Sequence, residues 1–240
     1  MEDFYQKTAK KRDLFIKEIG QKISIEGEKG NRHFMQLCEQ QILKSNNILE
    51  IGTGTGTIPL WLGHLNREMT CIDGSAAMVK IAQKNCQDHT HITFLQADLN
   101  NLPFANNSVD LIIKRLAPDN LKEINRVLKK NGRFLNLTNG EKDAVEIKNL
   151  FCLPVHEGVA NYNDQLQKSG FLVKKSKEFT FYEKYHSCDD LIRMLEIAPI
   201  APEALLIKKS SKNKLEKIFN KDGVFILTRH KYVTEATKTF

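Results

Sequence analysis

Apolar and polar positions follow a regular alternation from residue 46 onward. The runs NNILEI, MTCID, HITFLQAD, SVDLIIK and RFLNLT have the length and apolar content of buried strands. Between them, segments such as SAAMVKIAQKNC and DNLKEINRVLKKNG repeat apolar residues at helical spacing, with Ser75 as an N-cap and Asn131-Gly132 closing the second. Strands of this kind separated by helices predict a mostly parallel sheet covered on both faces, a three-layer α/β sandwich.

The segments on either side of this alternation have a different pattern, but all belong to one predicted domain, 1–240. Residues 1–45 are predicted to be N-terminal helices, 46–137 the ligand-binding core, and 138–240 an additional region. That last region holds two longer strand candidates, GFLVKKSKEFTF and GVFILTRHKYVTEAT, which we expect to form an antiparallel edge of the sheet. A helical insertion at about 189–217 separates them, and we expect it to act as a lid.

Composition restricts the class of protein further. The chain has 240 residues, of which 41% are hydrophobic and 27% charged, which allows one domain with a large core. No apolar run approaches the roughly 18 residues of a membrane span, and the charged N-terminus lacks the apolar region of a secretory signal. The five cysteines are scattered without a CxxC pair, so we expect neither a metal site nor disulfides. These features predict a soluble cytoplasmic protein.

The net charge of +7 is concentrated in residues 208–240, which hold nine Lys and Arg against three Asp and Glu. Two interpretations stay open. The segment either docks RNA phosphates, with Lys208, Lys209, Lys212 and Lys214 as its densest cations, or forms a solvated helix face beside a loop.

A glycine-rich loop follows the first strand of the core. It reads Glu50-Ile51-Gly52-Thr53-Gly54-Thr55-Gly56, and such glycines let the backbone turn tightly and approach a ligand. A dinucleotide fingerprint would require glycine at position 57, where Thr57 stands, and no P-loop motif occurs. A dinucleotide or triphosphate site is therefore disfavoured.

Acidic residues end three successive strands, at Glu50, Asp73 and Asp98. Because the carboxyl ends of parallel strands meet at one edge of the sheet, these side chains should line a common crevice. Asp73, followed by Gly74, is placed to bind both hydroxyls of a ribose through charge-assisted hydrogen bonds. Asp98, flanked by Ala97 and Leu99, is placed to hold an adenine amino group. A crevice ringed with acid suits a ligand that carries positive charge.

These stretches resemble the class I S-adenosylmethionine-dependent methyltransferases. The resemblance rests on ILEIGTGTG, TCIDGSAAM, LQADLNNLPF, SVDLII and LKEINRVLKKNGRFL, which cover about residues 47–137 in the family's order. Within the family, the branch acting on small molecules, which includes the ubiquinone- and biotin-pathway enzymes, is the most similar. The resemblance implies a Rossmann-like seven-stranded sheet and S-adenosylmethionine laid over the glycine loop. It also implies the methionine moiety near Glu50 and Gly52, with Met78 beside the adenine.

One departure leaves the methyl acceptor open. The connection Lys114–Asn120 is shorter than the family's usual one and resembles that of the ribosomal RNA guanine-N1 methyltransferases, as does LIRMLEIAPIAPE. Those RNA enzymes carry a four-cysteine zinc module that this chain lacks. We therefore expect a small-molecule acceptor, with an RNA base as the alternative.

No catalytic residue is predicted, because methyl transfer from a sulfonium needs mainly positioning of the nucleophile. Lys114 is included among the cofactor-binding residues, since it ends the fourth strand. The candidate acceptor-binding residues are Arg115, His156, Tyr182 and Tyr185. Each also has a simpler interpretation, as a charge at a strand end or a half-buried packing residue.

Overall fold

The sheet contains eight strands in the part of the chain that the structure describes. This computed structural model describes residues 9–10, 13, 23–26, 29–155, 158–197, 212–219 and 221–239. The strands are β1 Ile23–Glu26, β2 Ile48–Ile51, β3 Met69–Asp73, β4 Ile92–Gln96, β5 Val109–Arg115, β6 Leu128–Asn139, β7 Phe171–Tyr185 and β8 Phe225–Lys238. They lie in the order β1-β7-β8-β6-β5-β2-β3-β4.

The strand directions confirm the predicted architecture. Strands β2 to β6 are mutually parallel, whereas β8 runs antiparallel to β6, and β7 antiparallel to β8. These seven strands form the predicted sheet with its antiparallel edge. The short strand β1 adds an eighth member by pairing antiparallel with the last residues of β7. Residues 23–26 are therefore a strand, although only helices were predicted before residue 46.

Helices cover both faces of the sheet, and each face has its own core. The helices are α1 Gly30–Ile42, α2 Thr57–Leu62, α3 Ala76–Asn85, α4 Leu121–Val127, α5 Val145–Phe151, α6 Val159–Lys168, α7 Cys188–Ile197 and α8 Lys212–Glu216. Helices α1, α2 and α3 pack on one face, where Phe34, Ile58 and Val79 meet Ile113 of β5. On the other face, α4 and α6 bury residues such as Ile124 and Leu166 against the sheet. The result is the three-layer sandwich.

Helix α4 ends earlier than its sequence pattern predicts. The chain becomes extended at Leu128, so residues 128–132 belong to β6 rather than to the helix. Lys129 binds Asp110 of β5 at 2.7 Å, and Asn131 has a φ of 62°. Pairing with β5 therefore outweighs the helical propensity of this segment.

The helices of the insertion pack beyond the end of β6. That strand ends at Asn139 opposite Lys231, whereas β8 begins at Phe225, which pairs with Tyr185. Strands β7 and β8 thus extend past the carboxyl edge of the parallel strands, and α5, α7 and Leu215 of α8 form a separate apolar cluster with this extension. Among the described helices, none is long and apolar enough to cross a membrane.

Candidate functional site

The glycine loop is held at the edge of the sheet by its own backbone. The N–H groups of Gly52 and Thr53 both donate to the carbonyl oxygen of Ile72 at 2.9 Å. Gly52 has a φ of 74° and Gly56, which precedes helix α2, a φ of 88°. Residues with a Cβ rarely adopt these angles, so the chain turns from β2 into α2 only because glycine stands at these positions.

Asp73 connects this loop to the start of the next helix. Its Oδ2 accepts the N–H of Gly54, and its Oδ1 accepts the N–H of Ser75, each at 2.9 Å. Ser75 in turn caps α3 by accepting the N–H of Met78 at 3.3 Å, as its position in the sequence predicts. Asp73 therefore fixes both the glycine loop and the start of α3 at this edge of the sheet.

A cleft of about 550 Å³ opens at this edge. Ten of the residues predicted to bind cofactor or acceptor line it: Ile51, Gly52, Gly54, Asp73, Gly74, Met78, Ala97, Asp98, Leu99 and Arg115. Its volume is within the range of small-molecule sites. The carboxyl ends of β2, β3, β4 and β5 thus meet around one space, as expected for parallel strands.

The wall contributed by β4 combines a carboxylate with apolar surface. Asp98 lies in the tight turn after β4, where its Oδ1 accepts the N–H and the side-chain amide of Asn100 at 2.9 and 3.1 Å. Ala97 and Leu99 flank it, and Met78 reaches the cleft from α3 while being 2% exposed. A planar ring with an amino substituent matches this arrangement.

Glu50 is buried beside Thr53 of the glycine loop, two residues before Gly52, and is not itself among the residues that line the cleft. Its side chain is 2% exposed, and its Oε2 has no hydrogen-bond partner among the described residues. Burial raises the pKa of this carboxyl to about 7, although the side chains of Thr53 and Cys71 beside it favour the ionised form. An unpartnered buried carboxylate oxygen is costly unless a ligand group completes it.

Lys114 is buried within the fold, contrary to its predicted place at the cofactor. Its Nζ donates to the carbonyl oxygen of Ala117 at 2.7 Å and lies 2.9 Å from Asp119 Oδ1. The loop that follows β5 therefore folds back over the end of its own strand. Ala117 then comes so close to Gly52 that a Cβ on the glycine would lie 2.3 Å from the alanine Cβ. Lys114 thus shapes the cleft without lining it.

The other predicted residues lie at different distances from the cleft. Thr53 and Gly56 are buried in the loop behind it. Tyr182 is 45% exposed on β7, and Tyr185 is buried with its hydroxyl donating to Glu183 at 2.9 Å, so the structure brings neither to the cleft. Both belong to the β7–β8 extension, where Tyr185 is part of the apolar cluster formed with α5 and α7. His156 lies outside the described residues.

Sequence reasoning missed several residues that line the cleft. They are Ile72, Ser75, Gln96, Asn100, Leu116, Ala117, Pro118 and Asp119. Four of them form the short connection after β5, and the only signal for them was its unusual length. Gln96 and Asn100 flank Asp98 in the sequence and share its turn.

Two features of the cleft fit S-adenosylmethionine. A Cβ placed on Gly54 or on Gly74 would meet no atom within 4 Å, so both glycines leave room at the cleft wall for a ligand. The unpartnered oxygen of Glu50 suits an ammonium group beside the loop. The set of donors and acceptors is therefore consistent with a nucleoside that bears a cationic amino acid.

Comparison with known proteins agrees with this geometry. Residues 48–132 match the family described as "Methyltransferase domain". Residues 48–132 are therefore similar to a methyltransferase domain. They include strands β2 to β5, the glycine loop and every residue that lines the cleft.

Several known proteins are similar to part of the chain. A ubiquinone/menaquinone biosynthesis C-methyltransferase of Rubrivivax gelatinosus is 31% identical over 113 residues, which cover 44% of this chain and 43% of the relative. The biotin biosynthesis bifunctional protein of Cellvibrio japonicus is 33% identical over 114 residues, covering 44% and 22%. The chain thus spans less than half the length of these curated relatives. The solved structure of the YcgJ protein of Bacillus subtilis superimposes with a TM-score of 0.63 at 16% identity, covering 87% of this chain and 99% of that one, which shows a shared fold.

Proposed function

We propose that the protein is an S-adenosylmethionine-dependent methyltransferase that acts on a small-molecule acceptor. The observation that carries this proposal is the cleft itself, in which a glycine loop and the strand-terminal Asp73 and Asp98 surround one space. Support also comes from the relatives, whose names place them in quinone and biotin biosynthesis.

Each part of the cleft suits one part of the cofactor. Asp73 would bind the ribose hydroxyls, and Asp98 the adenine amino group, with Ala97 and Leu99 against the ring. Glu50 would face the ammonium group of the methionine end. When bound, the cofactor supplies a methyl group activated by a positively charged sulfur.

The chain then needs mainly to position the acceptor, because the leaving group is a neutral thioether. Holding the acceptor's nucleophile in line with the methyl carbon can supply roughly 7–11 kcal/mol of the barrier. The loop 115–119 follows β5, which lies on the other side of β2 from β3 and β4, so this loop would offer the acceptor side of the cleft. Lys114 holds this loop so that Ala117 lies directly against Gly52.

The alternative acceptor, an RNA base, was inferred partly from the basic segment 208–240. Within the described part of that segment, Lys231 and Lys238 are buried, Arg229 is 13% exposed, and all three lie against protein oxygens. These three cations cannot meet RNA phosphates. Lys208 and Lys209 lie outside the described residues. Lys212 binds Asp189 at 2.9 Å, and Lys214 is exposed, with its Nζ 4.6 Å from the centre of the Phe151 ring. The small-molecule proposal is therefore the one favoured.

Transfer of labelled methyl groups tests this proposal. The protein is incubated with methyl-labelled S-adenosylmethionine and host extract, which is then separated into small molecules, RNA and protein. We expect label among the small molecules and none for Asp73→Ala. Label in the RNA fraction alone would contradict the small-molecule acceptor, and the absence of label from all fractions would contradict methyl transfer.

A further inference from the structure

A third carboxylate lines the cleft besides the two that suit the cofactor. Asp119 belongs to the loop after β5, on the opposite side from Asp73 and Asp98. Its side chain is 29% exposed, so it is neither buried in the core nor free on the surface. The proposed cofactor contacts leave this acidic group unused.

Two donors from different elements converge on one oxygen of Asp119. Lys114 Nζ lies 2.9 Å from Oδ1, and the hydroxyl of Tyr162 on α6 donates to the same atom at 3.3 Å. Among the described residues, no hydrogen bond or ion pair engages Oδ2. The carboxylate is thus fixed through one oxygen, and the other is the atom available to a ligand in the cleft.

At the positions of both donors, an apolar side chain would avoid the free-energy cost of burying a polar group. Lys114 is completely buried, and burial lowers its pKa while Asp119 opposes that shift. Burial and the neighbouring Asp119 raise the pKa of Tyr162, so its hydroxyl keeps its proton at neutral pH. A buried ion pair seldom stabilises a fold more than apolar side chains of the same volume. We therefore attribute the ion pair between Lys114 and Asp119 to the positioning of the Asp119 carboxylate rather than to the stability of the fold.

Buried polar residues continue from Lys114 across the neighbouring strands of the sheet. Lys114 of β5 pairs in register with Asn136 of β6, which pairs with Thr234 of β8, and all three side chains are buried. Elsewhere on this face of the sheet the same strands present Ile112, Phe134 and other apolar residues. At the end of this face next to the cleft, the buried residues of these strands are polar instead of apolar.

We propose that Asp119 is the catalytic base of an acceptor site, with Lys114 and Tyr162 as its positioning residues. The acceptor is then a molecule whose nucleophile is an O–H or N–H group. Its oxygen or nitrogen forms the bond to the methyl carbon while the carbon–sulfur bond breaks. The electron pair of that bond goes to sulfur, and the acceptor's proton goes to Asp119 Oδ2. This inference rests on the proposed methyl transfer.

The test compares Asp119→Asn, Asp119→Ala and Tyr162→Phe with the wild type. Asp164→Asn is the matched control, because Asp164 is an exposed residue of the same helix as Tyr162 and binds only Lys168 among the described residues. For each protein, calorimetry measures the affinity for S-adenosylmethionine, and the rate of labelled transfer into fractionated host extract is measured with and without added formate.

We expect Asp119→Asn to bind S-adenosylmethionine as the wild type does and to lose transfer by about 100-fold or more. Added formate should restore part of the transfer in Asp119→Ala. Tyr162→Phe should lower transfer without lowering the affinity for S-adenosylmethionine. Asp164→Asn should behave as the wild type does.

Two results would overturn the assignment of Asp119 alone. One is wild-type transfer by Asp119→Asn, and the other is a loss of cofactor affinity as large as the loss of transfer, which would show a structural role. A wild-type protein that binds the cofactor but labels no fraction would instead overturn methyl transfer, and this inference with it.

Discussion

Replacing Glu50 by Gln should stabilise the cofactor-free protein and weaken its affinity for the cofactor. Burial raises the pKa of Glu50 from 4.5 to about 7, so the folded chain binds this proton more tightly than the unfolded chain. The resulting cost is absent below about pH 4.5, grows as the pH rises toward 7 and is complete above it. A difference of about 2.5 pKa units corresponds to about 3 kcal/mol. Above pH 7 the Glu50→Gln variant should be more stable by up to about this amount.

The same carboxyl should make cofactor binding depend on pH. Only the ionised form attracts the ammonium group, and with a pKa of about 7 the ionised fraction rises about tenfold between pH 6 and pH 8. At pH 8 the loss of one charge-assisted hydrogen bond, worth about 1.5–3 kcal/mol, should weaken binding by Glu50→Gln about 10- to 150-fold. The ligand's own amino group titrates equally in both measurements, so its effect cancels in the ratio of the variant and wild-type dissociation constants.

Two assays measure these effects. Urea denaturation at pH 5 and pH 8 gives the free energies of unfolding, and calorimetry at pH 6 and pH 8 gives the dissociation constants. Glu68→Gln is the control, since Glu68 is an exposed residue just before β3. A variant no more stable than the wild type at pH 8, or an affinity ratio that is the same at pH 6 and pH 8, would refute the reasoning about Glu50.

Three further substitutions test the supporting structure. Asp143 is buried and lies beside Arg229 and Lys231. Burial opposes its ionisation, yet these cations lower its pKa to about 2. Asp143→Asn should therefore lower the free energy of unfolding, measured by urea denaturation, by about 3–5 kcal/mol at pH 7, and this difference from the wild type should narrow toward pH 2. Lys238 donates to three oxygens at 2.7, 2.7 and 2.8 Å, so Lys238→Met should lower the thermal midpoint by several degrees. Gly52→Ala places a Cβ at a φ of 74° and 2.3 Å from a neighbouring Cβ, so calorimetry should show weakened cofactor binding.

The sequence predicts the cofactor side of the cleft because local rules determine it. Gly52, Asp73 and Asp98 follow strands whose apolar pattern is clear, and parallel strands bring their carboxyl ends together whatever the rest of the chain does. The seven-stranded sheet follows from the same pattern.

The acceptor side depends on contacts between distant residues and was not predictable in the same way. Leu116 adopts a φ of 52°, and Asp119 faces the cleft, because buried Lys114 folds the loop back. Periodicity at β5 cannot show that one position of an apolar strand carries a buried lysine with a partner. The charge of residues 208–240 is a similar case, since a count of basic residues does not reveal that Lys231 lies beside Asp143.

Binding of S-adenosylmethionine to the wild type and to Gly74→Val tests the central claim most directly. Gly74 lines the cleft, has no positive φ, and a Cβ there would meet no atom within 4 Å, so the substitution fills ligand space without straining the fold. Asp73→Ala is less specific, because it also releases the glycine loop. We predict one bound cofactor per wild-type chain, and no binding by a Gly74→Val variant with an unchanged thermal midpoint. Equal binding by both proteins, or none by the wild type, would contradict the account.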